Sequence, residues 1–192
     1  SSYTDGTVKE AGRWNGITQE LAKNNYYNFN KTQLVAQCFT IEARQATSIT
    51  FNYTYASHGI QYKYSDNIDG DWNNVGSDPI PLAAGKAIIV QGNALKLKKG
   101  DKSEVLFTSE GNKLCYIYGD IMTLLWGEGY DPAANSLDSD GPVGSNNRNM
   151  FEGLFKNTDY IDIPSGRPLQ LPNATTKQCY LSMFEGCTSL TR

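Results

Sequence analysis

Large and polar side chains alternate along the middle of the chain. Over residues 49–55 an isoleucine, a phenylalanine and two tyrosines take every second position, with Thr or Asn between them. A period of two places these four large side chains on one face of a β-strand. The alternation returns over residues 60–64, after a glycine-containing turn at residues 57–59. We therefore predict two consecutive strands joined as a β-hairpin.

Shorter apolar runs follow at regular intervals as far as residue 118. Turn-forming segments rich in Asp, Asn and Gly separate them, and the densest covers residues 66–74. The runs lie at residues 80–82, 87–90, 95–97, 105–107 and 114–118. About seven short strands, with turn signals about every 8 to 12 residues, are typical of two packed antiparallel sheets. We predict a mainly β chain with an antiparallel, Ig-like β-sandwich over residues 33–118.

The segments on either side of the predicted sandwich have different patterns. Residues 1–32 contain scattered apolar positions and an aromatic cluster, and we interpret them as an N-terminal arm or linker. Residues 119–148 begin with an apolar stretch and continue with many Gly, Ser, Asn and Pro residues. Such a composition predicts a junction followed by a loop.

An internal repeat begins near residue 150. Residues 154–161 align with residues 183–190 at a constant offset of 29, and apolar residues recur at the first, second and last positions of both segments. In a solenoid, positions of this kind face inward, because each coil buries a face that it cannot bury alone. We therefore predict that the two segments are stacked coils.

The second of these segments carries a recognisable motif. Residues 171–176 read Leu-Pro-Asn-Ala-Thr-Thr, residues 179–180 read Cys-Tyr, and residues 183–191 read Met-Phe-Glu-Gly-Cys-Thr-Ser-Leu-Thr. This run resembles the repeat unit of BspA-like leucine-rich repeat proteins of bacterial surfaces, which reads approximately L-P-A-T-T-L, then C-Y, then M-F-x-G-C-T-S-L-T. Residues 119–127 are similar to the lead-in of such arrays, which a β-rich module often precedes.

The resemblance implies that residues 149–192 form the first leucine-rich repeats of a short solenoid. The implied core residues are Leu154, Phe155, Ile161, Leu171, Cys179, Tyr180, Met183, Phe184, Cys187 and Leu190. Thr158 stands where the motif has cysteine, and residues 164–168 form a longer insert, as expected of an atypical capping unit. A solenoid usually needs about three repeats for stability. We therefore expect a fragment of a longer array, the alternative being a β domain that supports a short stub.

The function that the resemblance implies is recognition without catalysis. We expect a monomeric, secreted or cell-surface adhesin of a bacterium, which binds a host or matrix protein through its repeat array. One alternative is a phage tail-fibre or receptor-binding component of a virion, which would be a trimer. A second alternative is a carbohydrate-binding module that stacks a cell-surface glycan on Trp72, Tyr62 and Tyr64.

Charge and hydropathy argue against two classes of partner. The chain has 17 Lys and Arg residues against 20 Asp and Glu, a net charge of −3, and no basic cluster. We therefore expect no nucleic-acid partner. We also expect no membrane-spanning segment, because no apolar run approaches the roughly 20 residues that a spanning helix needs.

Residues with catalytic or metal-binding chemistry are few. His58 is the single histidine, it lies in a predicted turn, and no nucleophile motif accompanies it, so we predict no catalytic residues. The four cysteines lack metal-ligand spacing, and we predict no cofactor and no metal. Two questions stay open: whether Cys38 and Cys115 form a disulfide, and whether the Asp-rich turns at residues 66–73 and 136–141 bind calcium.

Overall fold

The computed structural model describes residues 3–4, 7–8, 38–52, 59–92, 105–127, 151–171 and 179–191. The chain is mainly β with little helix. It divides into two compact units, Ser1–Leu34 and Val35–Arg192. In the first unit, strand β1 (Tyr3–Thr4) pairs antiparallel with strand β2 (Thr7–Val8).

The second unit contains a larger sheet and a three-stranded sheet. The strands of the larger sheet are β3 (Phe39–Ala43), β5 (Gln61–Tyr64), β6 (Asn73–Asn74), β8 (Ala87–Gln91), β10 (Cys115–Asp120), β11 (Ile161–Asp162) and β12 (Leu169–Gln170). Their order is β6-β5-β8-β3-β10-β11, and β12 also pairs with β10. The smaller sheet contains β7 (Ile80–Leu82), β4 (Thr47–Phe51) and β9 (Phe107–Ser109), in the order β7-β4-β9. A 3₁₀ helix covers Glu110–Asn112, and helix α1 covers Thr123–Trp126.

The larger sheet is mixed. Strand β10 pairs antiparallel with β3 but parallel with β11 and β12, which lie one after the other along its free edge. The sequence predicts a purely antiparallel arrangement for residues 33–118, and the parallel partners come from beyond that range. The sheet therefore extends directly into the region where the repeats are expected.

One core joins the two sheets to the repeat region. Phe51 of β4 and Phe107 of β9 have ring centroids 6.2 Å apart, in the smaller sheet. The ring of Phe155 lies 6.5 Å from that of Phe107 and 6.1 Å from that of Phe39 in the larger sheet. The described residues of the repeat region thus pack into the same core as the described strands between residues 38 and 118, and all of them lie within the unit Val35–Arg192. The boundary expected at residue 32 lies two residues from the end of the first unit.

The predicted hairpin at residues 49–64 is wrong. Strand β4 pairs with β7 and β9 in the smaller sheet, whereas β5 pairs with β6 and β8 in the larger one. The alternation does indicate the buried face, since Ile49 and Phe51 are buried on one face of β4. However, the pattern specifies which face is buried and not which strand is the neighbour. Tyr53, Tyr55 and His58 lie outside the described residues.

The two buried cysteines of the sheets are too far apart to form a disulfide. Cys115 stands opposite Ala43 at one end of the β3–β10 pair, whereas Cys38 is bridged to Asp120 at the other end. The five residue-to-residue steps from Cys115 to Asp120 span roughly 16 Å, at about 3.3 Å per step. A disulfide requires Cα atoms within about 7 Å, so this pairing is excluded.

Candidate functional site: two stacked turns

Two short segments of the repeat region fold as chains of tight turns. We name residues 151–158 turn 1 and residues 180–187 turn 2. Within each, every second N–H donates to the carbonyl three residues earlier. The donor–acceptor pairs are Leu154–Phe151, Lys156–Gly153 and Thr158–Phe155 in turn 1, and Met183–Tyr180, Glu185–Ser182 and Cys187–Phe184 in turn 2, at 2.9–3.3 Å.

Four other N–H groups of turn 1 donate to carbonyls of residues 179–185. These bonds join Phe151 to Cys179, Gly153 to Leu181, Phe155 to Met183, and Asn157 to Glu185, with N–O distances of 2.7–3.0 Å. Each of these N–H groups donates to the carbonyl 28 residues further on, so the bonds form an in-register ladder in which turn 1 supplies every donor. The two turns are stacked in the register that the sequence offset predicts.

Left-handed residues allow the backbone to turn repeatedly in this way. Gly153 and Asn157 have φ of +65° and +57°, and the stacked positions Ser182 and Gly186 have φ of +53° and +75°. Glycine is favoured at residue 186 for a second reason, because a Cβ atom there would lie 2.2 Å from Oδ1 of Asn157 and would force that side chain to move. The glycine of the repeat motif thus has both a conformational and a packing role.

Aromatic rings form the interior of the stack. The rings of Phe151 and Tyr180 lie 5.7 Å apart with planes inclined by 5°, and those of Phe155 and Phe184 lie 5.5 Å apart and inclined by 13°. Offset stacked rings of this kind contribute about 0.5–1.5 kcal/mol each beyond the area they bury. The ring pairs therefore stabilise the same register as the backbone bonds.

Thr158 and Cys187 occupy equivalent positions in the two turns, and their side chains share one acceptor, the Phe155 carbonyl. The Thr158 hydroxyl donates to the Phe155 carbonyl at 2.7 Å, and the Cys187 thiol contacts the same carbonyl at 2.8 Å. Thr158 Oγ1 and Cys187 Sγ are 3.4 Å apart. The departure from the motif at Thr158 is therefore a substitution of one small hydrogen-bonding side chain for another.

Two outward polar side chains of the stack, Lys156 and Glu185, also lie in register. Lys156 Nζ is 3.0 Å from the Glu185 carboxylate, across the two turns. Hydrogen bonds from Ser182 and then from Lys156 lower the pKa of Glu185 below its ordinary value. Because the carboxylate is exposed, we expect this pair to add little to stability. Its position shows that outward side chains form columns along the stack.

The structure places most of the predicted repeat residues in or beside the core. Leu154, Phe155, Ile161, Cys179 and Met183 are buried, and Tyr180, Phe184, Cys187 and Leu190 are partly buried. Leu171 differs from the expectation, because its side chain is 41% exposed. The sequence reasoning missed Phe151 and Tyr160, both buried. The offset of 29 that relates Phe151 to Tyr180 was the signal that could have revealed the first of these.

An arginine anchors the insert of residues 164–168 to the larger sheet. The Arg167 guanidinium lies 4.3 Å from the ring centroid of Tyr118 and binds both carboxylate oxygens of Glu42, at 2.6 and 3.3 Å. The Tyr118 hydroxyl donates to Glu42 at 3.0 Å. Burial, followed by the Glu42 charge, raises the pKa of Tyr118. The insert is thereby held beside β10, between β11 and β12.

Tyr160 makes the stability of the protein sensitive to alkaline pH. Its hydroxyl donates to the Phe107 carbonyl at 2.7 Å, and burial raises its pKa to about 12. The neutral phenol is thus favoured in the folded state, so its contribution is complete below pH 10 and is lost as the pH rises toward 12. We expect urea unfolding midpoints to fall over this range, and to fall less in Tyr160→Phe. An equal fall in both proteins would contradict this assignment.

The three aromatic residues proposed as a sugar platform do not lie together. Tyr62 and Tyr64 pack against the core, with ring centroids 5.8 Å apart, and the Tyr64 hydroxyl donates to the Pro81 carbonyl. Lys63 alternates with them, so it points to the opposite face of β5. Trp72 lies on that opposite face, because the Lys63 ammonium is 4.7 Å from its ring centroid.

Other chemistry is sparse in the part of the chain that the structure covers. Among its described residues, no three His, Cys, Asp or Glu side chains converge in a way that could hold a metal ion. The second calcium candidate, at residues 136–141, lies outside those residues. In the same described part, no helix has the length and apolar character needed to cross a membrane.

Comparisons with known proteins leave the family open. No protein-family model, no curated protein and no solved structure matches this chain.

Proposed function

We propose that the chain is a non-enzymatic recognition protein that binds another protein through a repeat array. In this proposal the two sheets form an Ig-like sandwich, the stacked turns begin a leucine-rich-type solenoid, and the protein works at a bacterial cell surface. The observation that supports it most directly is the ladder between turn 1 and turn 2. The resemblance of residues 171–191 to BspA-like repeats supports the cellular setting and a host or matrix protein as partner.

The ladder is suited to recognition because one set of its side chains packs in the interior while another set is exposed on the surface. Inward side chains such as Phe155 are buried, whereas outward ones such as Lys156 and Glu185 form columns on the lateral surface. Solenoids present extended binding surfaces of this kind. Leu181, 45% exposed, adds an apolar contact to the same surface. A surface of mixed charge with one apolar residue fits a protein partner better than a polyanion.

The test compares two matched charge reversals. Binding of the protein to immobilised, purified extracellular-matrix proteins would be measured by interferometry for the wild type, Glu185→Lys and Asp66→Lys. Glu185 pairs with Lys156 on the stack, and Asp66 pairs with Lys86 at 2.8 Å on the larger sheet. We expect Glu185→Lys to weaken binding about tenfold. Asp66→Lys is expected to leave it unchanged.

The proposed function and its two alternatives predict different results in binding and light-scattering experiments. If no matrix protein binds, or if both variants bind as tightly as wild type, the lateral surface is not the recognition site. Saturable binding to a glycan, lost in Trp72→Ala, would favour the carbohydrate-binding alternative. A stable trimer in light scattering would favour a tail-fibre component, since the proposed adhesin is a monomer.

A further inference from the structure

A row of side-chain amides crosses three strands of the larger sheet. Gln91 Nε2 donates to Gln61 Oε1, and Gln61 Nε2 donates to Asn74 Oδ1, both at 3.0 Å. The three residues are register partners on β8, β5 and β6, so their side chains lie on one face of the sheet. This face is opposite to the core, because the alternating Tyr62 packs against the core. We name the three residues the amide row.

The amide row ends in a donor at a free edge of the sheet. Strand β6 is the last strand of the larger sheet on this side, and Asn74 is exposed. Asn74 Oδ1 accepts from Gln61, whereas no acceptor in the described part of the chain receives the Asn74 Nδ2 group. Both bonds of the row run in the same direction, and bonds in such a chain polarise one another. The Asn74 Nδ2 group is therefore a strengthened donor at the edge.

The backbone of Asn74 is directed toward the same edge. The Val75 N–H donates to the Ile60 carbonyl at 2.9 Å, next to the Gln61–Asn74 pair. In an antiparallel pair of strands, hydrogen-bonded and non-hydrogen-bonded residue pairs alternate. Gln61 and Asn74 are thus a non-hydrogen-bonded pair, and the N–H and C=O of Asn74 point away from β5. On that side the described residues form no further strand.

The edges of the smaller sheet are protected, whereas β6 is not. Strand β7 contains Pro81, which has no N–H to offer a neighbouring strand. Next to β9, the Leu106 N–H is already bonded to the Leu154 carbonyl of turn 1. Strand β6 contains no proline. A Cβ atom added at Gly76, two residues after Asn74, would meet none of the described residues within 4 Å, so an incoming strand has room there.

We propose that β6 binds an extended segment of a partner protein, antiparallel, with a glutamine or asparagine opposite Asn74. That residue exchanges both backbone hydrogen bonds with Asn74, and its side-chain oxygen accepts from Asn74 Nδ2. Addition of a strand to a free sheet edge is a general mode of peptide recognition. The sheet contains the template for this contact, because Gln61 and Gln91 stand opposite each other on β5 and β8 with their side-chain amides joined.

The polarity of the amide row selects the partner. A lysine opposite Asn74 would bring two donors together, whereas a glutamine or asparagine supplies an acceptor and keeps donors of its own. A second copy of this chain is a poorer fit. Two β6 edges related by a two-fold axis would bring together the donor ends of two amide rows.

This inference goes beyond the proposed function and uses a different surface. Recognition of a matrix protein was assigned to Lys156 and Glu185 on the lateral surface of the stack, whereas the amide row lies on β5, β6 and β8. Glu185→Lys should therefore leave strand addition at β6 unchanged. Failure of one proposal does not imply failure of the other.

The experiment titrates the full chain with capped nonapeptides of alternating Thr and Val that carry glutamine at the central position. The backbone and side-chain amides of Asn74 are followed by NMR. We expect saturable shifts of both signals, and at least about tenfold slower hydrogen exchange of the Asn74 N–H in the complex. A lysine-centred peptide should bind more weakly, because it offers Asn74 Nδ2 no acceptor.

Two substitutions of Asn74 separate the backbone contribution from that of the amide. Asn74→Pro removes the edge-facing N–H but no bond to β5, so the fold tolerates it and peptide binding should weaken at least about tenfold. Asn74→Val keeps the backbone groups and removes the amide. It should weaken binding of the glutamine peptide about threefold and leave binding of a valine-centred peptide unchanged. Urea unfolding midpoints close to that of the wild type would show that both variants are folded.

Four outcomes would overturn the proposal. The first is the absence of saturable shifts at Asn74 with the glutamine peptide. The second is a folded Asn74→Pro variant that binds this peptide as tightly as the wild type. The third is an equal effect of Asn74→Val on the glutamine and valine peptides, which would exclude the amide contact even if the proline variant failed to fold. The fourth is a dimer in light scattering that Asn74→Pro abolishes, because the occupant of the edge would then be a second copy.

Discussion

Replacing Phe155 by alanine is expected to destabilise the protein by about 3–5 kcal/mol. The ring is 1% exposed and lies among the rings of Phe39, Phe107 and Phe184. Alanine leaves a cavity at the point where both sheets and the stacked turns meet. At about 2–4 °C per kcal/mol for a chain of this size, the melting temperature should fall by roughly 10 °C. Thermal unfolding followed by near-UV circular dichroism measures the change.

The repeat itself provides the control for this substitution. Phe184 occupies the same position one turn later, has the same side chain and forms the other half of the same ring pair. However, it is only partly buried, so Phe184→Ala removes one ring pair and leaves no closed cavity. We expect a loss of about 1–2 kcal/mol. Equal losses in the two variants would show that the stack does not share the core of the sheets.

The repeat was predictable because residues of similar polarity recur at a constant separation in the sequence. Residues 29 apart, such as Phe155 and Phe184, share their polarity, and a constant offset is the signature of successive coils that stack. What the pattern does not contain is the backbone conformation. Ser182 adopts a left-handed φ that its residue type does not indicate, and Asn157 adopts one that asparagine tolerates but does not require. The exposed Leu171 shows the related limit, since a motif position does not specify burial.

Several strands were predictable as segments but not as partners, whereas the central strand β3 was not predicted and the run at residues 95–97 lies outside the described residues. The fully apolar run of β8 and the alternating run of β4 both became strands, because burial on two faces or on one produces those patterns. The assignment of β4 and β5 to different sheets depends on long-range packing. The parallel pairing of Cys115 with Ile161 was also beyond prediction, because β11 is two residues long and is too short to show an alternation of apolar and polar residues.

Gly119→Ala is expected to be the most disruptive single-methyl change in the described part of β10. Gly119 has φ of +85°, a region that costs other residues about 1–2 kcal/mol. In addition, a Cβ atom there would lie 2.0 Å from the Cys38 carbonyl oxygen, which belongs to backbone that cannot rotate away. Its own N–H donates to the Pro168 carbonyl, so a shift would also strain the contact with the insert. We expect a loss of at least about 3 kcal/mol.

Two other glycines separate the contributions to this effect. Gly166 has φ of +77°, and a Cβ atom added there would meet no other atom within 4 Å, so Gly166→Ala should show only the conformational cost. Gly76 has neither positive φ nor close neighbours, and Gly76→Ala should be neutral or slightly stabilising. Urea unfolding of the three variants gives the comparison. If Gly119→Ala loses no more than Gly166→Ala, the Cys38 carbonyl does not crowd β10. A larger loss at Gly119, with an unchanged unfolding slope, would show that the close approach of β10 to the carbonyl of the residue before β3 adds a steric cost to the conformational one.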